Sequence, residues 1–277
     1  MLNGYNYGFI LLFLVFCIYF ASSLVAIMYD KKNEDKRSKM QRELFYKKRF
    51  KKNTTQLQVT NPPKKDKPTF CYSNGILKII ENRKIKFLIH FTNIYNLNNI
   101  LNEGILPINS IQHSYEHNDE LRLDKMHDCV SLSVEHPNEK MFYKCICETH
   151  QYAFCVIRLN AKETLVYTRN KKYFFDTNAA NSKFNGIRHT LSKPVDFENM
   201  FIGSNSKPYL PYDVQAEILF EGTIPIECID KIYVKNEKHL EWLKDVLGEI
   251  NYKKNRERIA IKDRYFHSRS YVYWRNR

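Results

Sequence analysis

The chain has 277 residues, and its 44 Lys and Arg outnumber its 30 Asp and Glu, which gives a formal net charge of +14. A hydrophobic fraction of 43% lets most of the chain bury a core. The charge balance argues against an acidic tail and favours a polyanionic partner, either nucleic acid or anionic lipid. There are 8 Gly and no GxGxxG or Walker A motif, so classical dinucleotide and P-loop phosphate sites are unsupported. Seven Cys, an odd number, favour reduced thiols over a secreted disulfide framework.

The N-terminal segment is predicted to be a membrane anchor, residues 1–29. Residues 8–29 carry no charge, and a helix of that length spans about 33 Å, which is enough to cross the hydrocarbon core of a bilayer. A cleaved signal peptide is the alternative. It is disfavoured because residues 1–7 contain no Lys or Arg and the apolar stretch is too long.

A basic segment, residues 30–68, follows the predicted anchor. Residues 30–67 contain 14 Lys and Arg against 5 Asp and Glu, and basic flanks stay on the cytoplasmic side of a membrane. We therefore expect a single-pass membrane protein with its N-terminus outside and its catalytic domain in the cytoplasm. The basic segment could also bind anionic lipid headgroups, or it could be a solvated linker that only sets the orientation.

Residues 69–277 are predicted to form one domain in which short strands dominate. Period-two and helical patterns predict the following elements in chain order: a strand over 84–91, a helix over 93–102 that stops near Gly104, a strand over 129–134, a helix over 138–147, a strand over 152–159, short strands over 165–168 and 173–175, strands over 215–220 and 229–234, and a helix over 237–247. This order predicts an α+β fold with a split, mostly antiparallel sheet and flanking helices, rather than alternating βαβ units.

Glu217 is the first candidate for chemistry. On a predicted strand over 215–220, Gln215 and Glu217 would share one face, and Ala216, Ile218 and Phe220 the other. A carboxylate inside an apolar strand is unexpected. It is either an edge-strand group that faces water or a group placed to stabilise a developing positive charge.

Two further side chains stand out. His90 lies where the first buried strand opens into a helix, a common place for ligands because free backbone N–H groups point outward there. Arg122 lies in a polar stretch before the next strand. Each has an ordinary alternative, which is a hydrogen-bonded structural histidine for His90 and a surface ion pair for Arg122.

Taken together, three blocks of sequence resemble one family. Residues 90–106 (HFTNIYNLNNILNEGIL), 122–144 (RLDKMHDCVSLSVEHPNEKMFYK) and 213–234 (DVQAEILFEGTIPIECIDKIYV) are similar, in order and spacing, to the DarT family of DNA ADP-ribosyltransferase toxins. The resemblance runs from about Lys84 to Val234. The predicted anchor departs from the usual soluble members of that family.

The resemblance implies an ADP-ribosyltransferase fold that binds NAD⁺, as co-substrate, in a cleft of the split sheet. It implies that Glu217 is the catalytic glutamate and that Arg122 contacts NAD⁺ and helps to remove the proton of the target base. The remaining cofactor-binding residues that it implies are His90, Phe91, Thr92 and Asn99. Tyr143 would pack on the nicotinamide or, equally, in the core. The stretch 161–212 would form the substrate loops, with Phe174, Phe175, Asn178 and Arg188 as candidates.

The leading hypothesis is that the protein transfers ADP-ribose from NAD⁺ to a thymidine base in single-stranded DNA and releases nicotinamide. We class this chemistry with the glycosyltransferases and also with the nucleotidyltransferases. The resemblance further implies that the chain is the toxin of a toxin–antitoxin pair with a macrodomain antitoxin. Two alternatives stay open: the same chemistry on RNA or protein, and a non-catalytic, membrane-tethered nucleic-acid-binding protein.

The C-terminal residues 252–277 carry 9 Lys and Arg, 2 acidic residues and several aromatic rings. Cations neutralise phosphates and rings stack on unpaired bases, so this tail could bind single-stranded nucleic acid. A core-packed strand with a basic exposed face is the alternative.

Cys145, Cys147, His150 and Cys155 do not have the spacing of a zinc site, and we expect no metal.

Overall fold

The computed structural model describes residues 74–116, 122–148, 153–166, 168–204 and 207–270. The predicted anchor (1–29) and basic segment (30–68) lie outside these ranges. Within the ranges, no helix combines the length and the apolar character needed to cross a membrane.

Seven strands of the described chain form one sheet. They are β1 (Phe87–Asn93), β2 (Cys129–Val134), β3 (Phe154–Asn160), β4 (Lys172–Phe175), β5 (Glu217–Glu221), β6 (Ile229–Val234) and β7 (Ile259–Ile261). Their order across the sheet is β4-β5-β2-β1-β3-β6-β7, and every neighbouring pair is antiparallel except β6 and β7. The predicted mixed fold with a mostly antiparallel sheet is confirmed.

The sheet is split between β1 and β2. These strands are in register at two pairs, Leu88 with Val134 and Ile89 with Ser133, whereas β1 pairs with β3 along its whole length. Beyond Ile89 the two strands diverge, and one side-chain bond, from His90 Nδ1 to the Ser131 carbonyl oxygen at 3.0 Å, crosses the gap. The split opens a cleft between the two parts of the sheet.

Six helices flank the sheet in the described residues. They are α1 (Asn74–Arg83), α2 (Leu97–Glu103), α3 (Glu139–Glu148), α4 (Ala161–Leu165), α5 (Pro194–Asn199) and α6 (Glu237–Asn255). A 3₁₀ turn, Ile94–Asn96, precedes α2, and Gly104 ends α2 with a φ of 88°, a conformation that favours glycine. The helix predicted to end at Leu247 continues to Asn255, although Gly248 breaks the helical geometry with a φ of 69°.

The strand predicted over 165–168 is wrong. Residues Ala161–Leu165 form α4 instead, because the Asn160 side chain accepts a hydrogen bond from the Glu163 N–H at 3.1 Å and so starts a helix directly after β3. The strand predicted over 215–220 begins later, at Glu217. Gln215 lies in a turn, where its N–H donates to Asp213 Oδ1 at 2.8 Å, so the prediction that Gln215 lies on the strand is wrong.

The core divides into three clusters around the sheet. The largest packs α1, α2 and α6 against one face, and it includes Ala216, Ile218 and Phe220, which confirms that these three side chains share a face. A second, aromatic cluster packs α3 against β1 and β3 through Phe142 and Phe154. A third covers β4 and β5.

The described part of the C-terminal tail is a packed segment. Tyr265 is buried in the aromatic cluster beside Tyr233, and Phe266 packs on the same cluster. Tyr265 is fully buried, so its predicted role in stacking on bases is wrong, and the alternative of a core-packed segment is confirmed for this residue. Just after these two rings, the Arg269 N–H donates to the Glu139 carboxylate, and its guanidinium donates to the Pro211 carbonyl oxygen at 2.9 Å. We call residues 263–270 the C-terminal brace.

Candidate active site

A cavity of about 380 Å³ lies in the split of the sheet. It is lined by all six side chains that the resemblance implies for catalysis and NAD⁺ binding: His90, Phe91, Thr92, Asn99, Arg122 and Glu217. These residues come from β1, α2, the segment before β2 and the start of β5. The fold therefore brings them into one cleft, although they are separated by up to 127 positions in sequence.

Glu217 is the first residue of β5, and its side chain is directed into the protein rather than into bulk water, with 9% of its surface exposed. One carboxylate oxygen accepts a hydrogen bond from Asn138 Nδ2 at 2.8 Å, and the other accepts from the Ala179 N–H at 3.1 Å. Burial raises the pKa of Glu217 to about 7, and the two hydrogen bonds oppose that rise. The carboxylate is held in one orientation at the edge of the cavity.

Arg122 is buried beside the same cavity, in a turn where its φ is 37°. Its Nε donates to Asp124 Oδ1 at 3.2 Å, and its other two nitrogens donate to the carbonyl oxygens of Cys129 and Met126. The ordinary alternative of a surface ion pair is wrong, because both members of the Arg122–Asp124 pair are buried. The positive charge lowers the pKa of Glu217, while Asp124 raises it.

His90 lies on β1, opposite the charged groups. Its Nδ1–H donates to the Ser131 carbonyl oxygen, since a carbonyl oxygen can only accept. Burial lowers the pKa of His90, and the charge of Arg122 lowers it further. The ring is therefore neutral near pH 7, and Nε2 is its hydrogen-bond acceptor.

The other predicted cofactor residues lie next to His90 or across from it. Phe91 stacks on Phe142 with ring centroids 4.6 Å apart, which fixes its ring at the cavity wall. Thr92 is buried, and its hydroxyl oxygen accepts from Asn96 Nδ2 at 3.0 Å. Asn99, on α2, donates from Nδ2 to His113 Nδ1 at 2.9 Å.

Three groups that position the charged residues were not identified from the sequence. They are Asn138, the Ala179 N–H and Asp124. Asn138 is the first residue of the helix predicted over 138–147 and has a residue type typical of helix caps, so its capping role was detectable. The Ala179 N–H lies in a loop after β4 and has no sequence signal.

Several of the secondary candidates lie elsewhere. Phe174 and Phe175 are buried in the core, so their predicted substrate contact is wrong. Tyr143 is 71% exposed and neither packs in the core nor lines the cavity. Asn178 does line the cavity. Arg188 instead supports the loop beneath it by donating to the Ala179 carbonyl oxygen at 2.8 Å.

Cys145, Cys147 and Cys155 do not lie together as metal ligands, and His150 lies outside the described residues. Cys145 and Cys155 are buried, and Cys147 is exposed on α3. In the described part of the chain, no group of His, Cys, Asp or Glu side chains is arranged to hold a metal ion.

A family model matches residues 89–267 of the chain, and its description is "ssDNA thymidine ADP-ribosyltransferase, DarT". The match includes all three blocks on which the resemblance was based, so that resemblance is confirmed. Classification with the nucleotidyltransferases is wrong, because the group that the family transfers is ADP-ribose, which is joined through its sugar. No curated protein matches the chain.

Solved structures are similar to this one at low sequence identity. Thermus sp. 2.9 DarT in complex with NAD⁺ is 18% identical over 65% of this chain and 97% of its own, with a TM-score of 0.44. The same protein in complex with ADP-ribosylated single-stranded DNA is 17% identical over 73% of this chain and 100% of its own, with a TM-score of 0.45. Thermosipho africanus DarTG in complex with ADP-ribose is 18% identical over 65% of this chain, with a TM-score of 0.43. The chain spans 50% of the length of that DarTG protein.

Proposed function

This chain belongs to the DarT family of single-stranded-DNA thymidine ADP-ribosyltransferases, and we propose that it transfers ADP-ribose from NAD⁺ to a thymidine base in single-stranded DNA, with release of nicotinamide. One observation carries the proposal for this chain: Glu217 is buried at the edge of a cleft that it shares with His90 and Arg122. A carboxylate in that setting suits a reaction that develops positive charge on a sugar.

The proposed chemistry begins with the bond between the ribose and nicotinamide. As that bond breaks, its electron pair leaves with the nicotinamide nitrogen, and positive charge develops on the ribose. The Glu217 carboxylate stabilises this charge, as carboxylates do in glycoside cleavage. A ring nitrogen of thymine then forms the new bond to the anomeric carbon, on the face opposite the leaving group, and its proton passes to solvent water.

Arg122 contributes positioning and charge stabilisation. A guanidinium has a pKa far above neutral, so it is a poor base in solution. Its fixed position beside Asp124 keeps one positive charge next to the cleft without a reorganisation step during the reaction. That charge favours the phosphates of NAD⁺ and the ionised form of Glu217.

The β1 side of the cleft is proposed to bind the nicotinamide end of NAD⁺. The neutral His90 ring offers an acceptor nitrogen, and Phe91 offers an apolar surface. Thr92 and Asn99 are held by hydrogen bonds on the same side of the cavity. Neutral groups suit this wall because the nicotinamide ring of NAD⁺ is itself cationic.

The DNA strand is proposed to approach over α3. Lys140 and Lys144 lie one helical turn apart, line the cavity and are exposed, and the exposed ring of Tyr143 lies beside them. Lysines neutralise phosphates, and an exposed ring can stack on an unpaired base. Tyr271, Tyr273 and Trp274 of the C-terminal tail lie outside the described residues, so their contact with nucleic acid stays a prediction.

The experiment is to incubate the full chain with NAD⁺ carrying a label in its adenosine part and with matched oligonucleotides. Label should enter single-stranded DNA that contains thymidine, and free nicotinamide should appear in equal amount. DNA without thymidine is the control. Label in RNA or in protein would show that one of these, and not DNA, is the acceptor. Nucleic-acid binding without any incorporated label would contradict the enzyme assignment.

We propose further that the chain is a toxin countered by a macrodomain antitoxin that removes the ADP-ribose. Expression of the wild-type chain should then arrest growth, and co-expression of a macrodomain hydrolase active on ADP-ribosylated DNA should restore it. A catalytically inactive Glu217→Gln chain should not arrest growth. Arrest by that variant would contradict the toxin mechanism.

The membrane assignment remains a proposal based on residues 8–29 and the basic segment after them. The full chain should sediment with membranes after an alkaline wash, and a chain without residues 1–29 should not. In sealed vesicles with the cytoplasmic side inward, the domain should resist added protease. Full-length protein in the supernatant would contradict the anchor.

A further inference from the structure

Asn138 connects the start of α3 to the candidate catalytic carboxylate through hydrogen bonds. It is 2% exposed and immediately precedes α3. Its Oδ1 accepts from the Met141 N–H at 3.2 Å, and its Nδ2 donates to Glu217 Oε1 at 2.8 Å. Its own N–H donates to Ser133 Oγ on β2 at 2.9 Å. The Asn138 side chain therefore connects α3 to Glu217 on β5, and the Asn138 backbone connects the same residue to β2.

The two ends of the Asn138 amide cannot exchange places. The Met141 N–H needs an acceptor, which only the amide oxygen provides, so the amide nitrogen is turned towards Glu217. The capping bond thus determines which group faces the carboxylate. An amide nitrogen presents a hydrogen-bond donor without adding a charge.

We propose that Asn138 is a positioning residue for the reaction: its amide nitrogen holds the Glu217 carboxylate in the orientation and the ionised state that a sugar cation requires. This inference rests on the proposed function of the cleft. Asn138 acts through Glu217 and is not assigned any contact with the substrate.

The charges around Glu217 show why such a donor matters. Burial works against ionisation of Glu217, and the negative charge of Asp124 adds to that effect. The Asn138 amide, the Ala179 N–H and the more distant positive charge of Arg122 work in the opposite direction. Since burial raises the pKa of Glu217 to about 7, loss of one donor moves the balance within the physiological range.

Asn138→Asp separates the two roles of the side chain. Aspartate keeps the acceptor that caps α3 and has nearly the same shape, but it replaces the N–H donor with a carboxylate oxygen. A second variant, Asn138→Ser, keeps a capping oxygen without adding a charge and is too short to reach Glu217. Asn236→Asp is the matched control, because Asn236 caps α6 with the same side-chain bond, to the His239 N–H, away from the cleft.

The measurement is the pH dependence of kcat/KM for ADP-ribose transfer by the full chain. Both Asn138 variants should move the acidic limb to higher pH by about one to two pH units, the range expected for loss of a hydrogen bond to a charged group. At pH 7, where about half of Glu217 is ionised in the wild type, that shift corresponds to a loss of about 5-fold to 50-fold in kcat/KM. Asn236→Asp should leave the limb unchanged. Unchanged limbs in two folded Asn138 variants would overturn the inference.

A titration separates this inference from the proposed function. The carboxyl carbon of Glu217 can be followed by NMR in glutamate-labelled protein, with the signal assigned by its loss in Glu217→Gln. The pKa of Glu217 should rise in both Asn138 variants and stay unchanged in Asn236→Asp, whether or not the protein transfers ADP-ribose. If the wild-type chain transfers no ADP-ribose, the proposed function is contradicted. If the pKa of Glu217 is unchanged in the Asn138 variants, the proposed role of Asn138 is contradicted.

Discussion

The two walls of the cleft differ in charge and in how they are held. The wall from β1 presents a neutral imidazole, an aromatic ring and a hydroxyl, from His90, Phe91 and Thr92. The opposite wall carries the ion pair of Arg122 with Asp124 and the carboxylate of Glu217. The β1 wall is fixed by seven residue pairs with β3, whereas the charged groups are fixed by side-chain hydrogen bonds between loops and strand ends. We propose that the first wall binds the nicotinamide end of NAD⁺ and that the second supports bond cleavage, and variants of Glu217 and His90 test this division.

Replacing Glu217 with glutamine should have the largest effect. Glutamine cannot stabilise the sugar cation by charge, so kcat should fall by about 10² to 10³, while the Kd for NAD⁺ stays within a few-fold of wild type. Transfer rates and NAD⁺ binding calorimetry measure the two quantities. Glu221→Gln is the control on the same strand, since Glu221 bonds to Tyr173 outside the cavity. Near-normal kcat in Glu217→Gln would remove this residue from the chemistry.

The pH dependence of stability should differ between wild type and Glu217→Gln. The pKa of Glu217 is about 7 in the folded protein and lies lower in the unfolded chain, so the folded state binds the extra proton. The contribution of Glu217 to the free energy of unfolding is therefore present at low pH. It is lost as pH rises from about 5 to about 8, and the loss is of order 3 kcal/mol. The burial-lowered pKa values of His90 and His136 act in the opposite direction. Chemical denaturation of both proteins across this range isolates the contribution of Glu217, and parallel curves would contradict its raised pKa.

Replacing His90 with alanine should affect binding more than cleavage. Loss of the ring removes an acceptor and a packing surface from the neutral wall, so the KM for NAD⁺ should rise about tenfold and kcat should change less. Steady-state kinetics with varied NAD⁺ give both constants. His189→Ala, an exposed histidine outside the cavity, is the control. A fall in kcat with unchanged KM would place His90 with the charged wall instead.

The smallest expected effect concerns the approach of DNA. Lys140→Gln with Lys144→Gln should reduce the slope of log affinity against log salt by about 1.4, because two phosphate contacts to a single strand are lost. Single-stranded DNA binding at several salt concentrations measures the slope. The matched control changes the exposed lysines Lys253 and Lys254 at the end of α6. Equal slopes in the two double variants would exclude α3 as the path of the strand.

The sequence was sufficient to predict the bounds of the elements whose residues follow a regular pattern. The strands at 129–134 and 229–234 begin and end where the sequence pattern placed them, although their burial does not alternate: five of the six residues of β2 and four of the six of β6 are buried. It was insufficient where a local side-chain bond decides the backbone. Asn160 starts a helix where a strand was predicted, and the turn around Asp213 delays β5 to Glu217.

The candidate site shows the same division. The six cavity residues were identified through a resemblance that preserves their order in the chain, so their convergence could be expected. The groups that orient Glu217 could not be derived in this way. Asn138 is recognisable as a helix cap, but its bond to a residue 79 positions away depends on tertiary packing, and the Ala179 N–H is a backbone group.

The C-terminal brace sets a practical limit on where the chain can be shortened. The family match stops at residue 267, yet Arg269 ties Glu139, the neighbour of Asn138, to Pro211, a few residues before Glu217. A fragment cut at the end of the match would retain every residue that lines the cavity, but it would lose the contact to Glu139, next to Asn138, and the contact to Pro211 in the segment that leads into β5. A fragment ending before Tyr265 would also open the aromatic cluster, so lost DNA retention after such a cut would report unfolding rather than a missing nucleic-acid contact. The smallest fragment suited to kinetic work therefore extends past the boundary that sequence similarity marks.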